Sequence, residues 1–139
     1  MLLPKKVKFR KWHTDRRNPK KKRVETRGAT LAFGSYGLKT ESMARIKSNQ
    51  LEAARKTMMR NLKKAGRIWI RIFPDRPYTA KPAEVGMGKG KGDPQGYVFE
   101  VKPGRVIFEI DGVDELLARD TLRKGGAKLP ISSRIVSRV

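Results

Sequence analysis

No cysteine occurs in the 139 residues, histidine occurs once, and Asp and Glu together number 13 against 34 Lys and Arg. Without cysteine there is neither a disulfide framework nor a thiolate metal site, which fits a reducing interior. The single histidine, His13, has Asp15 as the only carboxylate close to it in sequence and no nucleophile beside it. That is a poor catalytic site, and His13 reads as RNA-facing or solvated. No grouping of His and carboxylates has metal-ligand spacing. No apolar run approaches the roughly 18 residues of a membrane span, and Met1-Leu-Leu-Pro4 is too short for the apolar centre of a signal peptide. These absences argue against an enzyme, a cofactor, a small-molecule substrate and a membrane partner.

What is present is positive charge. The formal net charge is +21 and the isoelectric point is near 10.9. So much uncompensated charge opposes compaction of the free chain and invites a polyanion, with nucleic acid the leading partner. The length fits one domain with a real core.

The basic residues fall in three places. Residues 1–28 hold twelve Lys or Arg against two acids, with no hydrophobic periodicity, and read as a tail that orders on binding. Within it Phe9 and Trp12 either stack on unpaired bases or anchor the tail. Lys20-Lys21-Lys22-Arg23 also has the look of a nuclear-localisation patch, a weak signal in so basic a chain.

The second place is a helix over residues 48–65. Asn49 and Glu52 have capping-box spacing, Ser48 is a rival cap, and Gly66 is placed to stop it. Leu51, Ala54, Met58, Leu62 and Ala65 form one apolar stripe, with Met58 and Met59 read as core. Lys56, Arg60 and Lys63 fall opposite, with Lys64 at the flank.

The third is Val85-Gly-Met-Gly-Lys-Gly-Lys-Gly92, whose glycines leave little side chain to bury and whose two lysines are point charges suited to phosphate. It belongs to a long loop over residues 74–95. It is not a P-loop: Gly88-Lys89 is followed by Gly90, and Gly90-Lys91 by Gly92, so no hydroxyl is placed to hold magnesium. The dinucleotide pattern fails too, since Asp93 stands where its third glycine would fall.

Between these segments the pattern is regular. Residues 30–38 read as a short strand broken by Gly34 and Gly37, and residues 43–47 as a second extended piece. Arg67 to Phe73 alternates, Ile68, Ile70 and Ile72 on one side and Trp69, Arg71 and Phe73 on the other. Tyr97–Val101, the turn Lys102-Pro103-Gly104 and Arg105–Ile110 read as a hairpin. A helix over about 114–124 carries Val113, Leu116, Leu117 and Leu122 inward and ends at Gly125-Gly126. A last strand runs through Val136. Strands mixed with two helices, without strict alternation, indicate an α+β domain over 29–139 with a mixed or antiparallel sheet sandwich.

Several stretches together resemble one family in its order: Leu3-Pro-Lys-Lys-Val-Lys-Phe-Arg-Lys11, Phe33-Gly-Ser-Tyr-Gly-Leu38, Gln50-Leu-Glu-Ala-Ala-Arg55, Ile68-Trp-Ile-Arg-Ile-Phe-Pro-Asp75, Met87-Gly-Lys-Gly-Lys-Gly92, Val101-Lys-Pro-Gly-Arg-Val106 and Lys128-Leu-Pro-Ile131. The chain is similar to the bacterial-type large-subunit ribosomal protein sixteen family. That resemblance implies an α+β sandwich in the cytoplasmic ribosome, bound to large-subunit rRNA near A- and P-site tRNA and beside other ribosomal proteins. It implies rRNA contact for Lys5, Lys6, Lys8, Arg10 and Lys11 in the tail. The basic helix supplies Arg55, Lys56, Arg60, Lys63 and Lys64 as further rRNA-binding candidates. It implies a tRNA-proximal loop made of Met87, Gly88, Lys89, Gly90, Lys91 and Gly92. Gly86 stands where relatives often have Arg, so no contact of that arginine carries over. The rival reading is a free nucleic-acid-binding regulator, but neither a helix-turn-helix nor paired aromatics in the RNA-recognition pattern are present.

Overall fold

A computed structural model describes residues 2–11, 24–80 and 92–138. In chain order the elements are β1 (Tyr36–Thr40), β2 (Ala44–Lys47), α1 (Ser48–Leu62), β3 (Arg67–Ile70), β4 (Arg76–Ala80), β5 (Asp93–Val101), β6 (Val106–Asp111), α2 (Glu115–Gly126) and β7 (Ser133–Ser137). They build two antiparallel sheets, of order β3-β6-β1-β7 and β2-β5-β4. The expected α+β class holds.

Register explains where the core sits. Leu38 lies opposite Phe108 and Ile135, Ile68 opposite Ile110, and Ile70 opposite Phe108. Opposed residues share a sheet face, so these side chains make one apolar surface. α2 covers it with Ala118 and Leu122, and α1 packs on α2 with Leu51, Ala54 and Met58 in the same core. Each fully buried Leu, Ile or Phe side chain contributes about 1.5–3 kcal/mol. β6 is buried from Val106 to Ile110, so the one acid of that run, Glu109, lies inside as well.

Several expectations are corrected. The hairpin of residues 97–101 and 105–110 does not form: β5 pairs with β2 and β4, whereas β6 pairs with β1 and β3. The turn after Val101, with Gly104 at φ 100°, instead carries the chain from one sheet to the other. Only glycine takes that angle without strain. The loop expected over 74–95 begins and ends as a ladder, with Pro77 opposite Tyr97 and Ala80 opposite Asp93. The first strand starts at Tyr36 rather than at residue 30, because residues 32–34 give their N–H groups to Glu109 instead.

Helix ends and faces differ too. α1 is capped at Lys47, whose N–H donates to Gln50 Oε1 at 2.8 Å, rather than by Ser48 or Asn49. It ends at Leu62, and Ala65 is exposed beyond it. Met59 is 43% exposed, one step round the helix from the fully buried Met58. In α2, capped by the Asp114 carboxylate on the Leu117 N–H, the inward row is Ala118, Thr121, Leu122 and Gly125. That row turns Leu116 outward, 81% exposed. Gly125 and Gly126 form the last turn of α2 and do not end it before.

The chain joins the fold ahead of residue 29. Glu25 N–H donates to the Pro103 carbonyl at 2.9 Å, and Val106 N–H to the Gly28 carbonyl at 2.8 Å. Leu2 packs against the core.

Candidate nucleic-acid interface

The outer face of α1 follows from helical spacing. Leu51, Ala54, Met58 and Leu62 are buried, which turns Lys56, Arg60 and Lys63 to solvent. Arg55 is half-buried, and its guanidinium donates to the Glu52 carboxylate through Nε at 3.3 Å and through Nη2. This hydrogen bond holds the Glu52 carboxyl below its ordinary pKa and raises that of Arg55. Arg55 is therefore partly neutralised, while Arg60, Lys63 and Lys64 have no ion pair among the described residues.

The end of α1 presents two lysines in an uncommon way. Lys63 sits at φ 50° and Lys64 at φ 69°, both in the left-handed region. Lys63 N–H still donates to the Met59 carbonyl at 3.2 Å, closing the helix. The chain must reverse here so that Arg67 can pair opposite Asp111. Glycine or asparagine fills such a position at less cost than lysine.

In the tail Lys5, Lys6, Lys8, Arg10 and Lys11 are all exposed, and Lys8 Nζ stands 5.5 Å from the Phe9 ring centroid. Of the expected tRNA-proximal loop, Met87, Gly88, Lys89, Gly90 and Lys91 lie outside the described residues. Gly92 is half-buried immediately before β5. The segment lies in sequence between β4 and β5, whose facing ends are the pair Ala80 and Asp93.

Several acids pair with the protein's own cations at the surface of the domain. Glu100 takes both Arg45 and Arg76; Glu25 takes Arg105 at 3.8 Å; Glu115 takes Arg119 at 2.9 Å; Asp120 takes Arg123 at 2.8 Å and Lys124 at 3.2 Å. The Arg123 and Lys124 bonds keep the Asp120 carboxyl below its usual pKa. These pairs offset only part of the charge, since residues 29–139 hold 22 Lys or Arg against 11 Asp or Glu.

Inside, Glu109 organises a second surface. Its Oε1 accepts the N–H groups of Ala32, Phe33 and Gly34 at 2.9, 2.9 and 3.0 Å. Its Oε2 takes the Arg71 guanidinium. Burial pushes the carboxyl's pKa up, but these N–H groups and Arg71 outweigh it, so it stays below the ordinary value. The bonds fix the backbone of residues 32–34, and the Phe33 ring is left standing outward, 56% exposed. It stacks on Trp69 with centroids 5.9 Å apart and planes 17° apart. The Arg71 guanidinium lies 5.3 Å from the Phe33 centroid, and that of Arg67 6.0 Å from the Trp69 centroid.

Sequence reasoning placed Trp69 and Arg71 on one strand face but missed Phe33 and Glu109 as their partners. One signal was there: Glu109 is a lone acid inside the apolar run Val106 to Ile110. Such an acid needs a buried cation, and Arg71 sits in a comparable apolar run.

Residues 4–136 match the ribosomal protein L16p/L10e family. The chain is 55% identical to the large ribosomal subunit protein uL16 of Rhodopseudomonas palustris strain BisB18, over 100% of this chain and 98% of that protein. It is 53% identical to the protein of the same description from Nitrobacter winogradskyi and 52% identical to that from Afipia carboxidovorans, with the same shares covered.

Proposed function

The chain belongs to the ribosomal protein L16p/L10e family, and from that premise we propose that it is a structural component of the large ribosomal subunit. There it binds large-subunit rRNA and helps organise the region of A- and P-site tRNA near the peptidyl-transferase centre, beside neighbouring ribosomal proteins in the cytoplasm. The role is one of placement and requires no catalysis.

One observation carries this reading: carboxylates of the domain pair with its own arginines, while Lys5, Lys6, Lys8 and Arg10 of the tail and Arg60, Lys63 and Lys64 of the α1 end are exposed and have no ion pair among the described residues. Dispersed cations of this kind suit a protein enclosed by RNA rather than one that reads a single groove. Tail residues 5–11 and the α1 face contact rRNA, and the lysines of the Met87–Gly92 segment contact tRNA.

The test is co-sedimentation of tagged full-length protein with large subunits through a sucrose gradient. Comigration is expected, together with a steep loss of affinity for isolated rRNA in salt. About 6–10 phosphate contacts cost on the order of 10³ to 10⁵ in affinity between roughly 50 and 200 mM salt. Protein that stays at the top of the gradient while binding RNA or DNA would replace this reading with that of a free regulator.

A further inference from the structure

We propose that the Phe33–Trp69 stack, flanked by Arg67 and Arg71, is a docking platform for one unpaired nucleobase of an RNA strand. The inference rests on the reading of the protein as RNA-bound and names a contact outside the tail, the α1 face and the glycine segment.

The platform is built rather than incidental. Ile68 and Ile70 of β3 pack against the core, so Trp69 between them lies on the second face of the sheet. Residues 32–34 are tied beneath by three N–H bonds to the fully buried Glu109. Arg71 holds the other carboxylate oxygen and also donates to the Thr30 carbonyl at 3.3 Å. The Phe33 ring is thus exposed on a backbone anchored to the interior, which separates it from a ring that merely frays. More than half of this apolar ring still faces water, 56% of the residue being exposed.

The chemistry of the rim selects the occupant. Phe33 and Trp69 are already near-parallel, and a third flat ring extends the stack with the same offset geometry. Every base has such a face, and stacking on aromatic side chains is the common way unpaired bases are held. Arg71 is committed to Glu109, whereas Arg67 is exposed and has no ion pair among the described residues. A guanidinium beside the ring stack serves the phosphate that accompanies a stacked base. An apolar protein partner would bury Arg67 without a counter-charge, which is costly. A nucleotide satisfies ring and cation together.

Tryptophan fluorescence on the full-length chain tests this directly. Trp12→Phe leaves Trp69 as the only tryptophan of the two in the sequence. The probes are an eight-nucleotide oligoadenylate, an abasic ribose-phosphate strand of equal length, and a short Glu-rich peptide with one Phe. The oligoadenylate is expected to quench Trp69 emission and to bind about 5- to 150-fold tighter than the abasic strand. Phe33→Leu and Phe33→Ala, checked by thermal melting, should keep the abasic affinity and lose most of that preference. The emission comparison needs no change at Phe33, so it decides even if both variants unfold.

Equal binding of the two strands without quenching overturns the platform and leaves the wider RNA reading standing. A base preference unaffected by Phe33→Leu places the stacking elsewhere, on Phe9 for example, and overturns it too. Quenching by the peptide alone assigns the surface to an acidic protein. Failure to bind either strand removes the platform and the RNA reading together.

Discussion

Gly125 of α2 lies against Met58 of α1 so closely that a Cβ on Gly125 would stand 2.5 Å from the Met58 sulfur. The helices pack at this point because one of them has no side chain there. Alanine gains about 1 kcal/mol over glycine in a helix interior. Met58 is fully buried, so the clash cannot be relieved toward solvent, and overpacking costs typically about 1–3 kcal/mol. Gly125→Ala is therefore expected to lower the melting temperature despite its better propensity. Adding Met58→Val should restore part of the loss, and a more stable single variant would mean the helices separate freely.

Glu109→Ala removes the acceptor for three N–H groups and the partner of Arg71. Breaking a buried pair in this way costs about 3–5 kcal/mol, and Glu109→Gln, which keeps one acceptor oxygen, should cost less. The native carboxyl titrates below its ordinary value of 4.5, so the unfolded chain binds more protons as pH falls through that range. Its contribution is complete above about pH 5 and is lost as pH drops through the folded value. Melting temperature measured against pH should fall less steeply for Glu109→Gln than for the parent in acid. Parallel curves would assign the acid sensitivity to other carboxylates.

Leu62→Asp and Lys63→Gly change adjacent residues in opposite directions. Leu62 is 2% exposed, and an unpaired carboxylate there costs several kcal/mol, roughly half or more of a domain's stability. Lys63 is left-handed and exposed, so glycine relieves strain of about 1 kcal/mol. Denaturant midpoints should drop for the first and rise or hold for the second, while the second loses affinity for rRNA. A glycine variant that binds RNA as tightly as the parent would show that Lys63 takes no part.

Deleting residues 1–11 should leave a cooperative melt at slightly lower temperature, since Leu2 is the side chain of that stretch recorded against the core. A half-buried leucine is worth about 1 kcal/mol. The larger effect is expected on incorporation into the subunit, because five cations leave with the segment. An unfolded truncated protein would make the tail part of the core.

Lys89→Ala/Lys91→Ala should fold and enter the subunit, with A- or P-site tRNA binding weakened. Ordering such a glycine segment costs roughly 1–2 kcal/mol per residue, to be met where the lysines find phosphate. Gradient profiles and tRNA filter binding on one strain separate the outcomes. Immature subunits lacking the protein would give the two lysines an rRNA role instead.

Much of the fold was readable where periodicity spans one element. The α1 stripe of Leu51, Ala54, Met58 and Leu62 and the Ile68/Ile70 face of β3 follow from spacing alone, and both are buried against the core. Partner choice was not readable. The Lys102-Pro103-Gly104 turn has hairpin residues, yet nothing local says that the strands on either side belong to different sheets. Leu116 failed because leucine in a short helix fits either face until the cap sets the phase. For the site, the cations of the tail and of the α1 outer face could be picked out from charge and helical spacing, whereas the Glu109 anchor joins residues some 75 positions apart that no window contains.

β1 has β6 on one side and β7 on the other, both from the last third of the chain. During synthesis the first strand of this sheet thus emerges long before either neighbour exists. With 71 residues between Thr40 and the end of β6 to be added at about 5–20 per second, it waits on the order of 4–14 seconds for its first partner. The interval in which this strand edge is open is consequently set by translation rate rather than by the final collapse. The cationic segment ahead of β1 emerges earlier still, so it meets polyanions before the domain has closed.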